Sequence, residues 1–258
     1  MKKFSRKTRS RAGKPDRVPA NEDRRRPRFS RELSVLYEDD AVVVLDKPAG
    51  LLAVPIKGSA TPSALALLDA EMGLKRQRAF LVHRIDRFAS GALLFAKTRA
   101  DRDDLVRQFL AHTPVRKYLT VLRGHLAVAA GTLVHHFRRQ GMFQQSRNAR
   151  DLHATRAELR YSVERPLMDA SLVRVELVTG LQNQIRAQFA AMGHPVIGDR
   201  KYHRAESSEQ LIARVALHAA FLEFIHPRTG ERVAIDCRPP ADFRHLVREL
   251  SRSSSAHR

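Results

Sequence analysis

The chain has 258 residues, enough for one or two domains with a full core, and its 43% hydrophobic and 29% charged residues are typical of a globular protein. Its net charge of +20 is unusual and favours a polyanionic partner, most simply nucleic acid. The single cysteine, Cys237, excludes an intrachain disulfide and a zinc site built from cysteines. No signal peptide and no run of about 18 apolar residues is visible, so we expect a cytoplasmic protein that does not bind membranes.

The first 31 residues form a strongly basic segment. They hold 13 Lys and Arg against three acidic residues, a net +10, which leaves another +10 of the total +20 for the rest of the chain. With almost nothing to bury, residues 1–31 are expected to be disordered alone and to release counterions on binding RNA. An anionic membrane is a weaker candidate partner, because the segment lacks an apolar helical stripe and the chain has no Trp. We therefore expect a basic tail over 1–31, a folded domain over 32–250 and a short Ser/Arg tail over 251–258.

Strands and one helix are predicted before residue 74. Strands are expected over 33–37 and over 41–46, the second being buried because of its β-branched run. A turn follows, in which Lys47 is interpreted as a solvated strand end. A helix is predicted over 61–73, with Thr61 as its N-cap and Gly73 as its end.

The stretch over 83–97 combines a charged turn with an apolar strand over 92–96. Asp86 lies between Arg84 and Arg87 in the sequence, and Ser90-Gly91 leads into the strand. Positive charge nearby favours the ionised carboxylate, which suits a nucleophile better than a general acid. A structural salt bridge at the strand entrance is the alternative.

A helix over 99–111 and a strand over 115–124 are predicted next. Leu105, Phe109 and Leu110 would form the apolar side of the helix. Tyr118 lies in the strand, where most tyrosines are half-buried with the hydroxyl at the surface. A hairpin with a mobile basic loop is expected over 131–151. Its adjacent histidines, 135 and 136, would point to opposite faces, so no metal site is predicted.

The remaining pattern predicts strands over 153–163 and 171–178, and then a helix that ends at Gly193. Ile185, Phe189 and Met192 would pack this helix on the sheet, which leaves Arg186 off the apolar stripe and consistent with a solvated helix arginine. A closing hairpin near 216–236 and a last helix over 241–250 follow. Element counting alone gives mixed α and β in one domain.

Four motifs, in the same order along the chain, resemble those of the RluA-type pseudouridine synthases. They are Lys47-Pro48-Ala49-Gly50, His83-Arg84-Ile85-Asp86 with Ser90-Gly91, Lys117-Tyr118 preceded by Arg116, and Asn183-Gln184-Ile185-Arg186 followed by Gly193-His194-Pro195 and Gly198-Asp199. Ile85 and Ala89 are mild departures from the usual Leu and Thr. The pair Leu181-Gln182 departs further, because it lacks a basic residue found there in the family.

The resemblance covers about residues 35–245 and implies an α+β pseudouridine synthase fold. That fold is a single catalytic domain with a mixed, mostly antiparallel central sheet and flanking helices, and the RNA cleft lies across it. The resemblance implies an enzyme that isomerises specific uridines in ribosomal or transfer RNA and acts as a monomer. Many relatives carry a small S4 domain before the catalytic domain, and the segment 1–31 is too short and too polar to be one. The reaction has no net redox change, so neither a cofactor nor a metal is expected.

The resemblance also implies roles for individual residues. Asp86 would be the catalytic nucleophile, Arg186 its ion-pair partner that keeps it ionised, and Tyr118 the residue that stacks on the base and helps to remove the C5 proton. Arg84 would fill the gap left by the flipped uridine. The remaining residues assigned to substrate binding are His83, Arg87, Lys117, Asn183, Gln184 and Ile185.

Two other functions are compatible with parts of the pattern. A non-catalytic RNA-binding or ribosome-assembly protein on the same scaffold would explain the basic tail and the altered Leu181-Gln182 pair. A nuclease or glycosidase is disfavoured, because neither a metal-ligating acid cluster nor a second catalytic carboxylate is apparent in the sequence.

Overall fold

The computed structural model describes residues 32–74, 77–141, 143–203 and 211–252. The tail predicted over 1–31 lies outside these ranges, as do residues 253–258 of the predicted C-terminal tail. The strands are β1 Ser34–Glu38, β2 Val42–Lys47, β3 Phe80–Leu81, β4 Ser90–Ala96, β5 Val115–Arg123, β6 Ala130–Gln140, β7 Phe143–Arg147, β8 Thr155–Leu167, β9 Ala170–Leu177, β10 Leu217–Ile225 and β11 Arg232–Asp236. The helices are α1 Ala64–Gly73, α2 Arg99–Leu110, α3 Gln184–Ala191 and α4 Ala241–Arg252.

All eleven strands belong to one mixed sheet. Its order is β1-β2-β4-β10-β5-β9-β8-β6-β7, with β3 added to β4 and β11 added to β10. The only parallel pair among the described strands is β4 with β10. This pair is short and joins Ser90 to His218 and Gly91 to Ala219. The prediction of an α+β fold with a mixed, mostly antiparallel sheet is confirmed.

Gly91 makes this parallel junction possible. Its φ of +113° is rarely adopted by other residues, and a Cβ atom at this position would lie 2.2 Å from the carbonyl oxygen of Ala219. A larger residue would therefore push β4 away from β10. The turn that carries Asp86 lies just before this junction, so the glycine also fixes where the turn meets the second half of the sheet.

Strands β2 and β4 are apolar on both faces because helices cover both faces. On one face, Val43 and Phe95 pack with Leu68 of α1. On the other face, Val44 and Leu94 pack with Leu105 of α2. A larger core contains residues of β5, β8, β9, α3 and α4. The first two clusters thus stabilise the half of the sheet that contains β2 and β4, and the larger core stabilises the half that contains β5, β8 and β9.

Three local predictions were wrong. Helix α1 is capped by Ser63, whose Oγ accepts a hydrogen bond from the Ala66 amide at 3.1 Å, and not by Thr61. Leu110 is 74% exposed, because α2 ends there. Met192 is partly exposed because it is the C-cap of α3, whereas Ile185 and Phe189 are buried as expected.

The other predicted elements are observed with small shifts in their bounds. Strands β6 and β7 form the hairpin predicted over 131–151. In the part of the chain that the structure describes, no helix is long and apolar enough to cross a membrane. Within the same ranges, no group of three or more His, Cys, Asp or Glu side chains could hold a metal ion.

Candidate active site

A cleft opens beside the junction of β4 and β10. The turn before β4, the middle of β5, the end of β9 and the loop before α3 form its walls. The residues that line it are His83, Arg84, Ile85, Asp86, Ala89, Arg116, Tyr118, Leu177, Gly180, Leu181, Gln182, Asn183, Gln184, Ile185 and Leu217. Side chains from all of the last three predicted motifs thus meet in one cleft.

Asp86 and Arg186 form an ion pair at the edge of this cleft. The Arg186 NH1 group donates to Asp86 Oδ2 at 3.2 Å, although the two residues are 100 positions apart in the chain. Arg186 is only 7% exposed, so its interpretation as a solvated helix arginine was wrong. The ion-pair partner that the resemblance implied is observed.

A second carboxylate, Asp199, holds the guanidinium of Arg186 in a fixed orientation. Arg186 donates to both Asp199 oxygens, from Nε at 2.7 Å and from NH2 at 2.8 Å. Its NH1 also donates to Asn183 Oδ1 at 2.8 Å. Burial opposes the charge on Arg186, but the hydrogen bonds and negative charges of Asp199 and Asp86 together outweigh it and raise the pKa of the guanidinium. Asp199 thereby occupies the edge of the guanidinium formed by Nε and NH2, and NH1 points at Asp86.

Asp199 is itself held by the backbone. Its Oδ1 accepts hydrogen bonds from the amides of Lys201 at 2.8 Å and Tyr202 at 3.1 Å. Burial would raise the pKa of this carboxyl group, but the hydrogen bonds and positive charge of Arg186, together with the two backbone amides, lower it below its usual range. Asp199 belongs to the Gly198-Asp199 motif, but no role was predicted for it. Its position after the turn at Gly198 gave no local sign that it would reach Arg186.

Lys47 fixes the turn that carries Asp86. The side chain is fully buried, and Nζ lies 2.8–3.2 Å from the carbonyl oxygens of Pro48, Leu51, Arg87 and Ala89. Its interpretation as a solvated strand end was wrong, because two turns fold over it and direct their carbonyl groups at it. Burial lowers the pKa of Lys47 to about 7. The Asp86 turn is therefore anchored to the end of β2.

Tyr118 lies on β5 and faces the cleft. It is 8% exposed, and burial raises the pKa of its phenol to about 12. Arg116 shares this face of the strand, because alternate strand residues point the same way. Lys117 points to the other face, where Nζ lies 5.2 Å from the centre of the Phe221 ring, and it does not line the cleft.

His83 and Arg87 make contacts within the protein. The His83 ring stacks on Phe109 at a centroid distance of 4.6 Å, and its Nε2 accepts a hydrogen bond from the Leu94 amide at 3.2 Å. Burial and, to a lesser extent, Arg116 lower the pKa of His83 to about 3. Arg87 donates from Nε to the Gly50 carbonyl at 3.0 Å and does not line the cleft.

Arg84 and the three residues at the start of α3 do line the cleft. Arg84 is exposed at its rim. Asn183 adopts a left-handed conformation with φ of +56°, and Gln184 binds Thr179 Oγ1, the Leu181 amide and the Glu158 carbonyl. Ile185 is buried in the core that also contains Tyr118. The polar side chains at 183 and 184 thus shape the cleft wall through contacts within the protein.

The comparison with known families agrees with this geometry. The model of the RNA pseudouridylate synthase family matches residues 41–191, more than half of the chain. This chain belongs to that family. The match spans β2 to α3 and includes the segments of Asp86, Tyr118 and Arg186.

Curated relatives extend the agreement beyond that segment. The ribosomal large subunit pseudouridine synthase D of Zymomonas mobilis is 31% identical over 230 residues, which are 84% of this chain and 73% of the relative. The protein of the same name from Xanthomonas campestris is 34% identical over 236 residues, 86% of this chain and 71% of the relative. The predicted RluA-type pseudouridine synthase, an RNA-modifying isomerase, is confirmed.

A solved structure supports the fold. Human RNA Pseudouridylate Synthase Domain Containing 4 superimposes with a TM-score of 0.70 at 22% identity, covering 84% of this chain and 92% of that one. At this identity the similarity bears on the fold alone. It agrees with the mixed sheet described above.

Proposed function

We propose that this pseudouridine synthase uses Asp86 as its nucleophile and acts on RNA of the large ribosomal subunit. The observation that carries the first part is the contact between Asp86 and Arg186, which Asp199 holds in place. A carboxylate that is fixed in a cleft and faces a buried guanidinium suits covalent catalysis at an electrophilic carbon. The second part rests on the names of the two bacterial relatives, which both refer to the ribosomal large subunit.

Each of the three catalytic residues has a separate task in the proposed reaction. The Asp86 carboxylate attacks C1′ of the ribose as the bond from C1′ to N1 breaks, while Arg186 orients it. Tyr118 stacks on the flipped base. Its raised pKa of about 12 means that the phenol holds its proton at neutral pH, so stacking is its main task and removal of the C5 proton needs ionisation first.

The other proposed contacts bring the RNA to the cleft. Arg84, exposed at the rim, enters the space left by the flipped uridine. His83, Asn183, Gln184 and Ile185 shape the walls against which the base lies. Arg87 and Lys117, which lie off the cleft, contact the RNA backbone outside it. The basic segment 1–31 adds affinity for phosphates next to the catalytic domain 32–250, and the enzyme works as a cytoplasmic monomer.

Tritium release from RNA labelled at C5 of uridine tests the activity. The RNA should come from cells that lack this protein, because already modified RNA would release nothing. Wild type should release tritium and Asp86→Asn should not, while both bind the RNA with similar affinity. Mapping the product should place pseudouridine in large-subunit ribosomal RNA. Full activity of Asp86→Asn would contradict the proposed nucleophile, and modification of transfer RNA alone would contradict the proposed substrate.

A further inference from the structure

Among the described residues, one buried arginine in the cleft has no carboxylate to balance its charge. Three arginines of the described residues are buried: Arg116 at 8% exposure, Arg186 at 7% and Arg214 at 2%. Arg186 is paired with Asp199, and Arg214 is paired with Asp242 through two hydrogen bonds of 2.6 and 2.9 Å. Within the described ranges, Arg116 forms no ion pair. Burying a charge without a partner costs folding free energy, so the presence of Arg116 in the cleft calls for an explanation other than stability.

The surroundings of the Arg116 guanidinium leave hydrogen-bond donors unused. NH2 makes one long hydrogen bond, 3.4 Å, to the Thr179 carbonyl, and Nε has no partner in the described part of the chain. Phe109 lies beside the group, with its ring centre 5.7 Å from the guanidinium carbon. Burial lowers the pKa of Arg116. An arginine has five N–H donors, so this one is poorly satisfied by the protein.

Gly180 provides the space that the guanidinium occupies. A Cβ atom on Gly180 would lie 2.6 Å from Arg116 NH1, so a side chain there would displace the guanidinium. Gly180 and Arg116 both line the cleft, and Tyr118 lies two residues further along the same face of β5. The cation therefore borders the space next to the tyrosine that stacks on the base in the proposed function.

We propose that Arg116 is a catalytic residue whose guanidinium donates hydrogen bonds to a carbonyl oxygen of the uracil while the base is detached from the ribose. The inference rests on the proposed function, because it needs a flipped uridine next to Tyr118. A backbone phosphate is the other anion that the substrate offers. Arg116 is only 8% exposed, so a flipped base inside the cleft reaches its guanidinium more readily than a backbone phosphate outside does. The exposed Arg84 at the rim is better suited to a phosphate.

The base carries a negative charge only between cleavage of its bond from N1 to C1′ and formation of the new bond from C5 to C1′. When Asp86 bonds to C1′ and the bond from C1′ to N1 breaks, the electron pair leaves with N1, and the resulting anion spreads its charge over O2 and O4. The base then rotates, C5 bonds to C1′, and Asp86 leaves as a carboxylate. C5 loses a proton and N1 gains one, so no atom or electron is gained overall. A cation that contacts O2 or O4 stabilises the detached anion more than it stabilises the bound uridine. This difference lowers the barrier and accelerates the reaction.

The first test compares Arg116→Gln and Arg116→Lys with wild type at saturating RNA, with the exposed Arg244→Gln on α4 as the matched control. Arg116→Gln should slow single-turnover formation of pseudouridine by about 10²- to 10³-fold, the usual cost of losing one donor to a developing anion. Arg116→Lys should react about tenfold faster than Arg116→Gln because it keeps the positive charge. Arg244→Gln should match wild type.

Binding and stability measurements separate this role from a phosphate contact and from a structural role. For Arg116→Gln we expect the Kd for RNA to stay within about twofold of wild type with the same salt dependence. A weaker Kd with a salt slope smaller by about one would indicate a phosphate contact and overturn the inference. The Tm should be unchanged or higher, because an unpaired buried charge is removed. A lower Tm with equal slowing in both variants would indicate a structural role and overturn it too.

A target uridine that carries fluorine at C5 provides the sharpest comparison. Fluorine makes the detached base a more stable anion, so cleavage of the bond to N1 should depend less on Arg116. The rate on this substrate is measured as disappearance of the 5-fluorouridine nucleoside. The reduction in this rate caused by Arg116→Gln should be at least about tenfold smaller than the reduction seen with uridine. An equal loss on both substrates would overturn the inference. Inactivity of wild type on all cellular RNA would instead contradict the proposed function.

Discussion

Asp199 binds Arg186 through two hydrogen bonds of 2.7 and 2.8 Å and thereby directs the remaining NH1 group at Asp86. The Asp199 side chain is fully buried, whereas that of Asp86 is 19% exposed and borders the cleft. The two carboxylates thus share one guanidinium and differ in access to substrate. In the proposed function, Asp199 is therefore a positioning residue and Asp86 is the nucleophile.

Asp199→Asn should lower the catalytic rate and the stability together. An amide cannot accept both hydrogen bonds, so the guanidinium loses its fixed orientation, and a misplaced catalytic group costs about 10²-fold in rate. Weakening a buried ion pair should also reduce the free energy of unfolding by about 3 kcal/mol. Single-turnover kinetics and chemical denaturation measure the two effects.

Asp242→Asn is the matched control for Asp199→Asn. It weakens the pair made by the other buried arginine, Arg214, whose partner Asp242 lies on α4 and is 46% exposed. We expect a loss of stability with a rate like that of wild type when both are measured well below the Tm. Equal slowing in the two variants would mean that the rate follows stability alone and would contradict the positioning role of Asp199.

Lys47→Met should change how stability depends on pH. Burial depresses the pKa of Lys47 from its usual 10.5 to about 7, so between these values the unfolded chain binds more protons than the folded one. The contribution of Lys47 to the unfolding free energy should therefore rise with pH above about 7, by at most about 1.4 kcal/mol per unit. Wild type should show this slope relative to Lys47→Met in denaturation between about pH 7 and 9. An identical pH dependence would contradict the depressed pKa.

Lys47 also illustrates what the sequence could and could not predict. The strands and helices followed from apolar periodicity and turn residues, and the pairing of Asp86 with Arg186 from the resemblance of ordered motifs. The burial of Lys47 depends on the carbonyl groups of Arg87 and Ala89, which are 40 and 42 residues away. Side-chain types do not encode where a distant backbone carbonyl points. For the same reason Asp199 and Arg116 had no assigned role, because each acquires its significance only from neighbours brought close by the fold.

Tyr118→Ala and Tyr118→Phe should separate stacking from proton transfer. Loss of the ring should weaken binding of the target RNA by about 5- to 150-fold, since stacking contributes about 1–3 kcal/mol per base. The Phe variant keeps the ring, so its Kd should stay within about twofold of wild type. Its product formation should be slower, with a larger isotope effect from deuterium at C5, because proton removal becomes the slow step. A wild-type rate and isotope effect in Tyr118→Phe would exclude the phenol from that step.

Deletion of residues 1–31 should weaken RNA binding without changing the chemistry. The segment carries a net +10, and each phosphate contact that is lost should reduce the salt slope of binding by about 0.7 to 0.9. We therefore expect a higher Kd at low salt, a shallower salt dependence and an unchanged single-turnover rate at saturating RNA. Replacing the Lys and Arg of 1–31 by Gln is the matched control, because it removes the charge and keeps the length. If deletion lowered the saturated rate and the Gln version did not, the segment would act in catalysis through something other than its charge.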